Sequence, residues 1–150
     1  MSEHRAAVEW TRSTPGFGYD EFNRSHLVRF GEHEAPGDTI ADFFGRGEGA
    51  DPEALFAASL AACHMLTFLA VASRQRIVVD SYADEPAAFL EKNAAGRLAL
   101  ARVVLKPRVR FAAEVAPAKL AQLHALAHRN CFVAHAVKAE VVIEPQDAPA

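Results

Sequence analysis

A run of nineteen residues without Asp, Glu, Lys or Arg, residues 54–72, constrains the fold of this chain more than any other feature. The run is rich in Ala and Leu, which are strong helix formers. Just before it, Asp51 can accept from free backbone N–H groups, Pro52 suits a first helical position, and Glu53 is favoured by the helix dipole. The sequence therefore predicts one long helix with Cys63 near its middle.

A helix this long and apolar could span a membrane, because it reaches the required length. Alternatively, it is buried on all sides by protein. The segment is rich in Ala rather than Leu or Ile, and it carries Ser59, Cys63, His64 and Thr67. These features favour burial in protein. A chain of 150 residues encloses such a helix less readily than a dimer does, so we expect a homodimer and no membrane partner.

Composition limits the other partners and the compartment. A net charge of −3 gives no electrostatic reason to expect a nucleic acid partner. The first residues are polar and lack the apolar core of a signal peptide, which indicates the cytoplasm. Thiols are kept reduced there, so the two cysteines are expected to be free, redox-cycling or metal-binding rather than a structural disulfide.

The remaining segments predict strands around a second helix. Pattern and composition indicate strands over residues 6–11, 25–30, 77–82, 87–92, 102–111 and 137–143. Pro107 suggests an edge or bulge in the fifth of these, and residues 31–50 are predicted to form a long loop. The second helix is expected from Pro117 to about Asn130. The order predicts an α+β fold, a single domain over residues 1–150, with helices on one side of a mainly antiparallel sheet.

Cys63 is either inert packing or a reactive centre. Ser59 and Thr67 lie four residues either side and share its helix face, and Leu60 and Leu66 flank it. Cys131, at the end of the second helix, could meet it if the two helices pack together. One thiol would then attack and the other resolve, as a reversible disulfide requires.

A metal site is an alternative. His124, His128 and Cys131 fall at positions i, i+4 and i+7 on one helix face, and Cys63 would complete a tetrahedral set for zinc. The two histidines could equally be surface residues of an amphipathic helix. A third possibility is a structural, stress-associated dimer whose cysteines are inert.

A reactive thiolate in apolar surroundings needs a nearby cation. Arg24, Arg29 and Arg46 are the upstream candidates, and Glu53 could hold an arginine side chain in place. Glu53 precedes Cys63 by ten residues, roughly 15 Å along a helix at 1.5 Å per residue. If both residues are functional, we expect Glu53 of one chain to serve Cys63 of its partner.

Residues 51–64 and 127–132 together resemble the OsmC/Ohr family, that of osmotically inducible protein C and the organic hydroperoxide resistance proteins. The shared features are the Pro52-Glu53 pair, its spacing to Cys63, and a second cysteine before Phe132. The loop at residues 15–19 is closer to an OsmC-like subgroup than to the Ohr branch. The resemblance implies an intertwined α+β homodimer with a curved antiparallel sheet, a long central helix and two shared active sites.

The resemblance also implies an activity and residue roles. It implies a thiol-dependent peroxidase for organic hydroperoxides, recycled by a lipoyl-type or other small dithiol and needing no cofactor. Cys63 would be the peroxidatic cysteine and Cys131 the resolving one. Glu53 would position an arginine, which is Arg24 by the pattern of one branch and Arg46 by that of the other.

Overall fold

The computed structural model describes residues 1–146. The chain divides into two compact units, Met1–Leu55 and the part from Phe56 onward, which are described in turn. Helix α1, Pro52–Arg74, begins in the first unit and continues in the second. The single domain predicted over residues 1–150 stays a prediction, and its last four residues lie outside the described part.

The first unit contains a three-stranded antiparallel sheet in the order β1–β2–β3. Its strands are β1 Ala7–Glu9, β2 His26–Phe30 and β3 His33–Gly37. Gly31, with a positive φ of 63°, makes the tight turn between β2 and β3. The long loop predicted over residues 31–50 is therefore wrong in part, because it contains β3 and a short 3₁₀ helix, Ala41–Phe43.

Helix α1 begins where the sequence predicts it to begin. The Asp51 side chain accepts from the backbone N–H of Ala54 at 2.7 Å, which satisfies one of the free donors of the first turn. By length and composition α1 could cross a membrane, but core helices of soluble proteins pass the same test. Within this chain 28% of its most apolar window is buried. Ala58, Ala62, Leu66 and Ala70, spaced four apart, are exposed and form one apolar stripe.

The second unit contains two sheets rather than one curved sheet. Strands β4 Val79–Ala83 and β7 Arg108–Phe111 pair antiparallel. The other sheet has the order β5–β6–β8, with β5 Ala87–Lys92, β6 Leu98–Leu105 and β8 Glu140–Ile143. Its β5–β6 pair is antiparallel and its β6–β8 pair is parallel. The prediction of mainly antiparallel pairing is confirmed, and β6–β8 is the exception.

The single strand predicted over residues 102–111 is two strands, β6 and β7, which belong to different sheets. The break falls at Lys106 and Pro107. Pro107 has no N–H to donate to a sheet, and the Lys106 N–H donates instead to the Asp84 side chain at 2.7 Å. Proline therefore ends one sheet and lets the chain enter the next.

Two further helices carry the chain back to β8. Helix α2, Pro117–Asn130, has the predicted bounds, and α3, Phe132–Ala136, was not predicted because five residues are too few for a periodic pattern. The core has two clusters. In one, Leu60 of α1 packs with Val103 and Leu105 of β6. In the other, Phe68 of α1 packs with Leu123 and Ala127 of α2 and with β7. Cys63 and His64 lie on α1 between the two clusters.

Candidate functional site

Cys63 and Cys131 form a thiol pair in the second unit. Their sulfur atoms are 2.8 Å apart, with Cys131 donating to Cys63, and neither is in a disulfide. Cys131 is 1% exposed, whereas Cys63 is partly exposed. The contact between the two cysteines is therefore present while both thiols are reduced.

The junction between α2 and α3 places Cys131. Its backbone N–H donates to the carbonyl of His128, and its carbonyl accepts from the N–H of His135, each at 3.3 Å. Burial, followed by the hydrogen bond to Cys63, raises the pKa of the Cys131 thiol to about 11. Cys131 is therefore protonated at neutral pH and acts as the donor in the pair.

The two hydroxyl side chains beside Cys63 on α1 are bonded to the helix backbone. The hydroxyls of Ser59 and Thr67 donate to the backbone carbonyls of Phe56 and Cys63, both at 2.8 Å, as Ser and Thr commonly do inside helices. Their protons are thus not directed at the thiol. Leu60, which flanks Cys63 on α1, is fully buried in the core.

An open pocket of about 430 Å³ lies next to the thiol pair. Leu66 and Thr67 on its wall are one helical turn after Cys63, and Asn130 and Phe132 adjoin Cys131. Its lining residues are Leu66, Thr67, Ala70, Val71, Arg74, Asn130 and Phe132. The volume falls in the range of small-molecule sites, and most of the lining is aliphatic or aromatic.

Glu53 lies in the first turn of α1, and its carboxylate is without a full set of partners. Among residues 1–146, its buried Oε2 atom has no hydrogen-bond donor. A carboxylate oxygen left in this way needs a donor from elsewhere, because an unsatisfied buried acceptor costs about 1–3 kcal/mol. An arginine side chain is one group that could supply it.

Arg24 is held by its own unit. Its guanidinium group donates to the backbone carbonyls of Phe43 at 3.1 Å, Phe22 at 2.6 Å and Tyr19. It also lies over the Phe22 ring, with Cζ 3.5 Å from the ring centroid. This arginine therefore ties two loop segments together.

Arg46 differs from Arg24 in that its guanidinium has no hydrogen bond or ion pair within the described part of the chain. Its backbone is fixed by Asp38, which is 1% exposed and was not singled out from the sequence. The Oδ2 atom of Asp38 accepts from the N–H groups of Arg46 at 2.9 Å and Glu48 at 3.1 Å.

The pKa of Asp38 is lowered from its usual 3.8 although burial acts to raise it, because backbone hydrogen bonds from the loop outweigh the burial. The carboxylate is therefore ionised at neutral pH and organises the loop that carries Arg46. An Asp among glycines is the only sequence signal that could have indicated this role.

A buried histidine pair lies beside the thiols on the same two helices. His64 Nε2 and His124 Nδ1 are 3.1 Å apart, and the side chains are 1% and 4% exposed. The ring centroids are 5.4 Å apart and the planes differ by 7°, so the rings lie end to end in nearly one plane. Burial is the main cause that lowers both pKa values to about 4, so both imidazoles are neutral at neutral pH.

The histidine pair overturns the zinc alternative. Within residues 1–146, no group of three or more His, Cys, Asp or Glu side chains is placed to hold a metal ion. His124 contacts His64 and Cys131 contacts Cys63, so the set of His124, His128, Cys131 and Cys63 is not assembled. The view of His124 as a surface residue is also wrong.

A known protein family matches most of this chain. Residues 45–146, more than half of the chain, match the family described as OsmC-like protein. The chain belongs to the OsmC-like family. The resemblance drawn from residues 51–64 and 127–132 is thereby confirmed. No functionally curated protein matches the sequence significantly.

Solved structures of this family support the fold. An OsmC-like protein of unknown function from Vibrio cholerae is 36% identical, with a TM-score of 0.89 over 97% of this chain and 100% of that one. An organic hydroperoxide resistance protein from Elizabethkingia anophelis is 18% identical, with a TM-score of 0.73 over 100% and 98% of the two chains. The organic hydroperoxide resistance protein OhrB of Bacillus subtilis is 23% identical, with a TM-score of 0.65 over 95% and 97%. The predicted α+β OsmC/Ohr-like fold is confirmed.

Proposed function

We propose that this chain is a thiol peroxidase that reduces organic hydroperoxides to alcohols. The observation that carries the proposal is the 2.8 Å contact between the unlinked sulfurs of Cys63 and Cys131. Similarity to proteins named for organic hydroperoxide resistance supports the choice of substrate.

In the first step, the Cys63 thiolate attacks one oxygen of the hydroperoxide. A sulfur–oxygen bond forms, the O–O bond breaks, and the alkoxide takes a proton from solvent and leaves as the alcohol. Cys63 is oxidised to a sulfenic acid and the peroxide is reduced by two electrons. The exposure of the two residues supports this assignment, because Cys63 is the more accessible sulfur.

In the second step, Cys131 attacks the sulfenic sulfur of Cys63. A disulfide forms, and the hydroxyl of the sulfenic acid leaves as water with the proton of Cys131. A small dithiol, of lipoyl or similar type, then reduces the disulfide to two thiols and is itself oxidised to a disulfide. This cycle needs a reducing compartment, which agrees with the cytoplasmic location expected from the sequence.

The proposal also assigns roles to Arg46 and Glu53. Arg46 would stabilise the Cys63 thiolate, and Glu53 would orient that arginine. Arg46 is favoured over Arg24 because the Arg24 guanidinium is already bonded to three backbone carbonyls. Within residues 1–146 the Oε2 atom of Glu53 has no hydrogen-bond donor, which supports a role as acceptor for an arginine.

We also propose that the active protein is a homodimer with shared sites. Glu53 and Cys63 belong to one continuous helix and are about 15 Å apart along it, so Glu53 would serve the partner's thiol. The exposed stripe of Ala58, Ala62, Leu66 and Ala70 supports a helix-to-helix contact. The aliphatic and aromatic part of the neighbouring pocket wall, Leu66, Ala70, Val71 and Phe132, would favour organic peroxides over hydrogen peroxide.

A thiol count tests the proposed activity. Reduced protein is treated with cumene hydroperoxide in slight excess, and free thiols are measured before and after. Wild type should lose two thiols per chain, and the matched variant Cys63→Ser should lose none. Retention of both thiols in folded wild type, or equal loss in the variant, would overturn the proposal.

A further inference from the structure

The two cysteines of the thiol pair differ in how easily an outside molecule can reach them. Cys131 is 1% exposed, whereas Cys63 is partly exposed. On the same face of α1, Ser59 one turn before Cys63 is exposed, and Thr67 one turn after it is half-buried. The helix surface that carries Cys63 is therefore partly open within this chain, and the surroundings of Cys131 are closed.

Helix α3 helps to enclose Cys131. The backbone N–H groups of Val133 and Ala134, in the first turn of α3, lie near enough to its sulfur to act on the pKa of the thiol, against the effect of burial. The Cys63 sulfur is 2.8 Å away. Because the sulfurs of a disulfide are about 2 Å apart, oxidation brings the two less than about 1 Å closer. We therefore expect Cys131 to stay enclosed in the oxidised pair.

The direction of attack makes this difference in exposure important. A nucleophile approaches a disulfide along the line of the S–S bond, from the side opposite the sulfur that leaves. Attack on Cys131 would start from the side that faces away from Cys63, where a residue with 1% exposure leaves no path. Attack on Cys63 needs a path only to the more exposed residue of the pair.

The leaving groups favour the opposite order. A thiol of lower pKa leaves a disulfide faster. Burial raises the pKa of Cys131 to about 11, so Cys131 is a poor leaving group. Leaving-group chemistry therefore disfavours attack on Cys63, whereas access favours it. Access decides between them, because a nucleophile that cannot touch a sulfur cannot displace a thiol from it.

We propose that the reductant attacks the Cys63 sulfur, so that Cys63 carries the mixed disulfide and Cys131 is expelled. This inference rests on the Cys63–Cys131 disulfide of the proposed function. A bond forms between the reductant sulfur and Cys63, the Cys63–Cys131 bond breaks, and Cys131 keeps the electron pair and takes up a proton. The second thiol of the dithiol then attacks the reductant sulfur and releases Cys63. The protein disulfide gains two electrons, and the dithiol becomes a cyclic disulfide.

Mapping with sulfite tests the proposal. The disulfide is formed with diamide, which oxidises two thiols without any peroxide, so the result does not depend on peroxidase activity. Excess sulfite is added, and samples are quenched with acid at early times. Sulfite leaves a stable S-sulfonate on the sulfur that it attacks and frees the other thiol. Peptide mass spectrometry should find the sulfonate on Cys63 in at least about tenfold excess over Cys131, because access controls the rate of attack.

The same disulfide in guanidinium chloride is the matched control. Unfolding opens Cys131, so the share of sulfonate on Cys131 should rise. A sulfonate mainly on Cys131 in the folded protein, an equal distribution, or one that unfolding does not change overturns the proposal, as does failure of diamide to form the disulfide. If sulfite attacks Cys63 as expected but hydroperoxide oxidises neither thiol, the proposed activity fails and the direction of attack stands.

Discussion

The Cys131 thiol donates a hydrogen bond to the Cys63 sulfur at 2.8 Å, although 68 residues separate them in the chain. The donor is the buried thiol with the raised pKa, and the acceptor is the more accessible one. The two thiols of the reduced pair therefore differ: the Cys131 sulfur keeps its proton, and the Cys63 sulfur accepts the hydrogen bond from it. This asymmetry agrees with an attacking Cys63 and a resolving Cys131.

Cys131→Ser should trap the proposed intermediate. Without a second thiol, the sulfenic acid formed at Cys63 by one equivalent of hydroperoxide has no internal partner and should persist. A sulfenate-specific probe, read by mass spectrometry, should label this variant stoichiometrically and wild type only in traces. Cys63→Ser is the control and should not be labelled, and an unlabelled Cys131→Ser would contradict the resolving role.

The two candidate arginines should behave differently when each is replaced by Met. Arg46→Met should slow the oxidation of Cys63 by about tenfold or more, about 1.4 kcal/mol in activation free energy, with little change in stability. Arg24→Met should lower the free energy of unfolding by about 1–3 kcal/mol, because three carbonyls lose their donor. Rapid-mixing kinetics and urea unfolding measure the two effects, and the reverse pattern would assign the catalytic role to Arg24.

Leu66→Glu should weaken the proposed dimer. Leu66 is 63% exposed within this chain and lies in the apolar stripe of α1. A carboxylate there would be buried without a partner if two helices meet along the stripe. Sedimentation should show a dimer for wild type and a monomer for Leu66→Glu. Val78→Glu, at a position also 63% exposed but outside α1, should remain dimeric, and a monomeric wild type would refute the shared site.

Acid should destabilise the protein through the buried histidine pair. Burial lowers the pKa of His64 and His124 to about 4, below the ordinary 6.5 that applies in the unfolded chain. Between these values the unfolded state binds more protons, so stability falls as the pH falls from about 6.5 to about 4. Urea unfolding across this range should show a slope that His124→Gln reduces. His33→Gln, at an exposed position, should leave the slope unchanged.

Asp38→Ala should disorganise the loop that carries Arg46. Two backbone N–H groups, those of Arg46 and Glu48, would lose their acceptor, at a cost of about 1–3 kcal/mol in stability. Asp42→Ala, a nearby exposed acid, should change stability by less than about 0.5 kcal/mol. Denaturant unfolding measures the stability of both variants. An equal loss of stability in the two would mean that Asp38 does not organise the loop that carries Arg46.

The helices could be predicted from the sequence because their signals are local. Asp51 and Pro52 mark the start of α1, and the spacing of leucines together with Pro117 marks α2, whose bounds the structure reproduces. Strand β3 could not be predicted, since its sequence His-Glu-Ala-Pro-Gly has no strand pattern. It is a strand because five of its residues pair with β2.

The site could be predicted only in part for a similar reason. The cysteines stood out by rarity and by family resemblance, but a distance between residues 68 positions apart is set by packing. His64 follows Cys63 directly in the chain and is buried. Nothing local indicates that it meets His124, and Asp38 acts through backbone groups that carry no sequence signal.

The parallel pairing of β6 with β8 and the contact between the two thiols both join segments that are far apart in the chain. The chain between these strands includes β7, α2 and Cys131, so the pairing closes a loop of more than thirty residues. Pairing two strands across a loop of this length is slow compared with forming local contacts, because the loop-closure entropy is lost before the pairing is gained. During synthesis Cys63 is made long before Cys131, and β8 follows both. The hydrogen bond between the two sulfurs, which joins residues 68 positions apart, is thus expected to form after the helices that carry them.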